Sequence, residues 1–366
     1  MVGVIDADTH IAESEAMWKF IDKEMYARRP ILAKIPDDTL YKDRNAFWLI
    51  DGNIFPKPAG KGSFSLITPS AAKREASRGD IHLASRELTD PEARLADMNR
   101  LGVEIQVIYP TLFLVYLTDD AQLEITLCRA YNRFLAEACA NGSSRLKWVA
   151  ILPLRSIEAS LDEMGWAKEH GASGLFFRGM EGNLTLDNPY FFPVYEQAEK
   201  YGLPICIHTG SGSRHLMELF DVERNHTFAH NRVLPVFAFR DLVANRIPEQ
   251  FPTLKFGFIE ASASWVPYMV HVLRRQQGAN FKFNHPADLF REYRFYVACE
   301  ADEELPHLIH FIGEDNLIIG SDYGHNDPSK EPQLVATMRA REDLPPGLVE
   351  KILCHNAREL YGLSKM

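Results

Sequence analysis

Short apolar runs alternate with amphipathic stretches along most of the chain, and the period of the pattern switches between two and 3.6 residues. The first apolar run, reaching Ile5, gives way to Asp6-Ala7-Asp8-Thr9-His10-Ile11-Ala12-Glu13. Thr89-Asp90-Pro91-Glu92 then reads as a helix start, Leu95, Met98 and Leu101 follow at helical spacing, and Gly102 stops the helix. Strands are expected at 103–110, 146–152, 173–179, 203–210, 254–260, 295–300 and 317–322. Helices are expected at 15–26 (or a helical turn), 119–140, 157–170, 189–201, 233–247, 264–277, 303–312 and 347–361. Eight strand candidates, counting the opener and nearly all separated by a helix, predict a (β/α)8 barrel, with a doubly wound open sheet as the alternative. No GxGxxG follows the first strand, which removes support for a dinucleotide site.

Residues 27–90 break the rhythm. They carry Pro30, Pro36, Pro56, Pro58 and Pro69 with Gly52, Gly60 and Gly62, and no sustained periodicity. A segment this long after strand 1 is expected to be an insertion within a single domain, either a lid or a subunit contact, with Phe47, Trp48, Phe55 and Phe64 as its covering residues.

Composition narrows the setting. The 366 residues are 46% hydrophobic and 25% charged, with a formal net charge of −10, so a soluble enzyme-like domain is expected. No Lys/Arg block is present, which argues against a nucleic-acid partner. No apolar run of about 18 residues occurs, so no membrane span is expected. Asp6 and Asp8 interrupt any signal-peptide core. Cys128, Cys139, Cys206, Cys299 and Cys354 are scattered singly, which favours a reducing, cytoplasmic setting and packing roles.

The chemistry gathers where strands end, the rim at which such barrels place their sites. Strand 1 ends in Asp8 and His10, two apart and therefore on one face, with Glu13 just beyond. Strand 4 ends in Arg178, strand 5 in His208, strand 6 in Glu260, strand 7 in Glu300, and strand 8 in Asp322 followed by His325. Each alone has a structural reading: a core histidine, a helix cap, an ion pair. Repetition of metal-ligand types around one rim points to a divalent-metal site. Arg178 is a candidate clamp for a substrate carboxylate, or the partner of Glu300 in an ion pair. His325 is the candidate general acid/base. His215, His226 and His230 lie on the loop after strand 5 and are expected to be solvated unless one joins the site, and His271 and His355 are read as structural.

Asp8-Thr9-His10, Ile207-His208-Thr209-Gly210, Gly320-Ser321-Asp322-Tyr323 and the closing Asn356-Ala357-Arg358-Glu359-Leu360-Tyr361-Gly362 resemble the amidohydrolase superfamily. The likeness is to the branch holding aminocarboxymuconate semialdehyde decarboxylase and γ-resorcylate decarboxylase. The resemblance spans the chain apart from 27–90. It implies Asp8 and His10 as the first ligand pair, His208 as the strand-5 ligand, and Asp322 as a carboxylate that binds metal or handles a proton. Strand 6 departs from it, because decarboxylating relatives usually carry histidine followed by glycines where this chain has Glu260-Ala261-Ser262.

Asp8, Glu260, Asp322 and two histidines, with Glu13 as a further candidate, supply ligands for two ions, and suit Fe or Mn/Fe at least as well as Zn. This pattern resembles a dioxygen-activating dinuclear subgroup. The expectation is therefore an O2-dependent hydroxylase acting on a small carboxylate or acyl thioester, with Asp322, His325 and Arg178 as catalytic residues. The alternatives are a metal-dependent hydrolase or non-oxidative decarboxylase, and a non-catalytic partner of an active paralogue. The aromatic insertion leads to the expectation of a homo- or hetero-oligomer.

Overall fold

A computed structural model describes residues 3–56, 65–220 and 229–364. Eight parallel strands form the centre: β1 (Val4–His10), β2 (Val103–Tyr109), β3 (Leu146–Ile151), β4 (Gly174–Arg178), β5 (Ile205–His208), β6 (Phe256–Ile259), β7 (Phe295–Cys299) and β8 (Leu317–Ile319). They pair in sequence order. The ring closes where Thr9 bridges Tyr323, with Asp322 N donating to Asp8 O at 3.1 Å and His10 N to Tyr323 O at 2.6 Å. All residues of β1, β5, β6, β7 and β8 are buried, as expected of parallel strands covered on both faces. The fold is the (β/α)8 barrel.

Helices α1 (Pro91–Leu101), α2 (Ala121–Gly142), α3 (Ile157–Glu169), α4 (Phe192–Tyr201), α5 (Ala229–Ala244), α6 (Val266–Gln277) and α7 (Leu305–Ile312) connect the strands. Their starts follow local chemistry. Asp90 accepts from the amides of Glu92 and Ala93, Asp120 from Gln122 and Leu123, and Ser156 from Ala159. Gly102, at φ 73, ends α1 in the left-handed conformation that glycine adopts without strain. The helix expected over 15–26 is two short 3-10 turns. Pro286–Tyr293 and Leu334–Arg339 are additional helices, and 347–361 is broken into short segments.

The insertion contains a three-stranded antiparallel sheet of Ile31–Lys34, Ala46–Ile50 and Asn53–Phe55. Its register explains why no alternation was legible. Leu32, Trp48 and Phe55 line up on the inner face, but Ile31, Leu49 and Ile54 line up on the outer, 49%, 37% and 40% exposed, so both faces are apolar. Phe47, Trp48 and Phe55 are buried, with Trp48 packed edge-on against Trp18 at 5.8 Å; Phe64 lies outside the described residues. Among the described residues no helix is long and apolar enough to cross a membrane, and all five cysteines are free and buried.

Candidate metal centre

At the C-terminal rim, β1, β5, β6 and β8 deliver two overlapping buried ligand groups, Asp8, His10, His208 and Glu260, and His10, Glu260, Asp322 and His325. Close approach of β8 to β1 needs Gly320, where a Cβ would fall 2.3 Å from that of Asp8. Glu260 and Asp322 both sit at φ +53, a conformation that costs a non-glycine residue on the order of 1–3 kcal/mol. Glu303 organises the bend after β6, its carboxylate accepting from the amides of Ala263 (2.9 Å), Ser264 (2.7 Å) and Glu300 (2.8 Å).

Hydrogen bonds fix the tautomers. The Nδ1 of His10 lies 2.9 Å from the carbonyl of Pro110 and that of His208 lies 2.8 Å from the carbonyl of Thr209. A carbonyl only accepts, so both Nδ1 atoms carry hydrogen and both Nε2 atoms turn inward. There they meet carboxylates: Asp8 Oδ1 is 3.3 Å from each Nε2, Glu260 Oε2 is 3.2 Å from His208 and 3.8 Å from His10, and Asp322 Oδ1 is 3.5 Å from His10. Ring nitrogens facing carboxylate oxygens need positive charge between them, which imidazolium protons or a bound cation supply. The spacings are those of ligand edges around an ion with bonds of about 2.0–2.2 Å. His10 Nε2, Glu260 Oε2 and both Asp322 oxygens are buried without a hydrogen-bond partner among the described residues. The cluster has the donors and dimensions of a divalent-metal site.

The electrostatics agree. Burial, reinforced by Asp327 and Asp8 and opposed by His208, pushes Glu260 up to about 8. Burial with Glu260, Asp327 and Asp8 nearby raises Asp322 far above the carboxylate range. Asp8 is the exception: burial works against its charge, but His208 and His10 hold it below the usual value. Too many carboxyls share too little positive charge, the condition a bound dication relieves.

His325 differs from the other two histidines. Its ring stacks on His10 with centroids 3.7 Å apart, its Nε2 is 2.8 Å from Thr111 Oγ1, and its Nδ1 is 2.7 Å from Asp322 Oδ1. The single Thr111 hydroxyl hydrogen goes to Ile11 O at 2.6 Å, so His325 Nε2 is the donor to Thr111. Burial, then the nearby His10, lowers His325 well below its ordinary value.

Two expected site residues stand elsewhere. Glu13 lies outside both ligand groups, its oxygens accepting from the amides of Thr111 (2.9 Å) and Leu112 (2.8 Å), which leaves it anchoring the turn after β2. Arg178 meets Glu181 rather than Glu300, through Nε at 3.0 Å and a second, terminal nitrogen at 2.5 Å. Its remaining terminal nitrogen donates to the carbonyls of Phe113 and Val115, so the fork expected to clamp a substrate is already engaged. Glu300 instead pairs with Arg232 at 2.7 Å. His215 is exposed and outside the cluster, while His226 and the side chain of His230 lie outside the described residues.

Thr111, Glu303 and Arg232 were not legible as site residues, since each acts through contacts distant in sequence. Arg232 reaches Ser329, whose hydroxyl donates to Glu260 Oε1 at 3.2 Å.

A family profile described as Amidohydrolase matches residues 5–363. The chain belongs to the amidohydrolase family. Among curated relatives, 2-amino-3-carboxymuconate-6-semialdehyde decarboxylase of Dictyostelium discoideum is 25% identical over 295 residues, covering 75% of this chain and 77% of that one. Gamma-resorcylate decarboxylase of Rhizobium sp. (strain MTP-10005) is 25% identical over 260 residues, covering 66% and 79%. Among solved structures, 5-carboxyvanillate decarboxylase of Novosphingobium aromaticivorans, with bound manganese, superposes with a TM-score of 0.69 at 20% identity, covering 99% of this chain and 97% of that one.

These relatives overturn the expected dioxygen-dependent hydroxylase. They are decarboxylases, and the non-oxidative alternative fits better. The expectation failed because the carboxylate-rich ligand set that suggested iron is shared by oxygen-loving divalent ions generally, including manganese without redox change.

Proposed function

We propose that this amidohydrolase is a metal-dependent, non-oxidative decarboxylase of a small carboxylic acid, of the aromatic or unsaturated kind named for its relatives. The observation that carries the reading is the inward convergence of the His10 and His208 Nε2 atoms on the carboxylates of Asp8, Glu260 and Asp322. One divalent ion would be held by Asp8, His10, His208 and Glu260, with Asp322 on the His10 side as a further ligand. His10 offers a single Nε2, which cannot serve two ions at once, and five donors with three carboxylates favour manganese over a four-coordinate zinc. When bound, the ion supplies Lewis-acid charge that neutralises and orients the substrate oxygens.

The chain's own residues handle the proton. Loss of CO2 breaks a carbon–carboxylate bond and leaves its electron pair on carbon, which must then take up H+. His325 Nδ1 lies 2.7 Å from Asp322 Oδ1, close enough for a proton to pass between them, and Thr111 holds the far side of the ring. The buried walls around the site keep water from competing for the carbanion.

The test is CO2 release by manganese-loaded protein across a panel of hydroxybenzoates and unsaturated dicarboxylates under nitrogen and in air. Equal rates in both atmospheres are expected, with loss of activity on chelation. Unchanged release after complete metal removal would refute the assignment.

A further inference from the structure

The insertion reaches the site through one side chain. Arg78, 8% exposed, uses all five of its N–H groups. Two of them cross to the loop after β8, donating to Gly324 O and His325 O at 3.0 Å each. The rest hold Arg78 itself: Nε and one terminal nitrogen meet the two oxygens of Asp80 at 3.2 and 3.1 Å, and the other terminal nitrogen meets Glu75 at 3.2 Å. Glu75 is fixed in turn by buried Arg86 at 3.0 Å, and Asp80 also pairs with Lys330, further along the same loop. The loop bearing Asp322 and His325 is therefore tied to the insertion at two points.

We infer that Arg78 is a positioning residue of the metal centre, holding the backbone of Gly324 and His325 so that the His325 ring stacks on His10 and meets Asp322. Backbone bonds from Asp322 N to Asp8 O, His10 N to Tyr323 O and Glu331 N to Ser321 O hold the loop on either side, and Arg78 takes the two carbonyls between them, those of Gly324 and His325. Gly324 takes φ +108 and packs so closely on β1 that a Cβ there would lie 2.7 Å from His10 O. Glycine adopts that conformation without strain, and the Arg78 bonds to Gly324 O and His325 O fix the direction the two carbonyls take. A planar guanidinium can span two successive carbonyls and two carboxylates at once, whereas an ammonium cannot. The 27–90 insertion then serves as a brace on the strand-8 loop, a role distinct from both a lid and a subunit contact. The inference rests on the proposed metal site.

The test compares wild type, R78M and R78K, each loaded with Mn2+, by thermal melting, Mn2+ electron paramagnetic resonance and steady-state decarboxylation. R78M is expected to perturb the Mn2+ spectrum and lower kcat by about 10–100-fold, the range typical when outer support of a metal site is lost, with KM little changed. R78K should recover part of kcat. A folded R78K or R78M protein with the wild-type spectrum and kcat would overturn the inference. If R78M does not fold, R78K alone decides, since it keeps the charge beside Glu75 and Asp80 but not the span to both carbonyls. Should the wild type release no CO2, the decarboxylase reading fails, whereas the spectra still report on Arg78.

Discussion

His10 and His325 stack with ring centroids 3.7 Å apart and interplanar angle 21°, yet their hydrogen bonds assign them opposite duties. His10 gives Nδ1–H to a carbonyl and turns a bare Nε2 toward the carboxylates; His325 gives Nε2–H to Thr111 and turns Nδ1 toward Asp322. His10→Ala should therefore abolish tight metal retention. His325→Ala should retain the metal and lose about 10²–10⁴-fold in kcat, the usual contribution of a general acid. Metal analysis after exhaustive dialysis, paired with decarboxylation rates, separates the two.

Glu260 sets a carboxylate oxygen 3.2 Å from His208 Nε2 and 3.8 Å from His10 Nε2. Glu260→Gln keeps the shape and removes one negative charge from the cluster, so Mn2+ affinity should fall by at least about 10-fold. The thermal gain from added metal should shrink with it, since saturating a site to about 100 times Kd stabilises by about 2.7 kcal/mol. Melting curves over a Mn2+ titration would show this, and an unchanged titration would remove Glu260 from the ligand set.

Arg178 and Glu181 form a buried pair with two parallel contacts, and the carbonyls of Phe113 and Val115 complete it. Glu181→Gln strands the guanidinium and should cost about 3–5 kcal/mol. Adding Arg178→Met to that variant should restore part of the loss, because the uncompensated charge disappears. Urea unfolding of the two single variants and the double variant measures the coupling. A strictly additive result would mean the pair does not interact as the geometry indicates.

Glu124, whose side chain accepts from Arg155 N at 3.1 Å, is pushed up by burial to about 7. The folded state thus holds its proton across pH 4.5 to 7 while the unfolded chain has released it, so stability from this group falls as pH rises through that window and is flat above it. The full effect is on the order of 2–3 kcal/mol. Glu124→Gln should flatten the decline and leave the variant more stable than wild type at pH 8. Urea midpoints at pH 5 and pH 8 test the sign.

The barrel was legible because its signals are local. Apolar runs, caps such as Asp90 and stops such as Gly102 act over a few residues, and eight of them in alternation leave few architectures open. The ligand types were legible for the same reason: Asp8, His10, His208, Glu260 and Asp322 each interrupt or follow an apolar strand. The insertion's sheet was not, because the row of Ile31, Leu49 and Ile54 on its outer face erases the alternation that marks a half-buried strand.

By itself, then, the sequence determined the fold, the rim on which chemistry sits, and the carboxylate–imidazole character of the centre. Tertiary structure decided the division of labour. Glu13 anchors a turn because the amides of Thr111 and Leu112 come to it from 98 and 99 residues away. Arg178 is taken by Glu181, which a short hairpin folds back against it. Arg78 reaches the strand-8 loop across 246 residues of chain. Residue type sets what a side chain can donate or accept, but which partner it meets depends on distances that only the closed barrel creates.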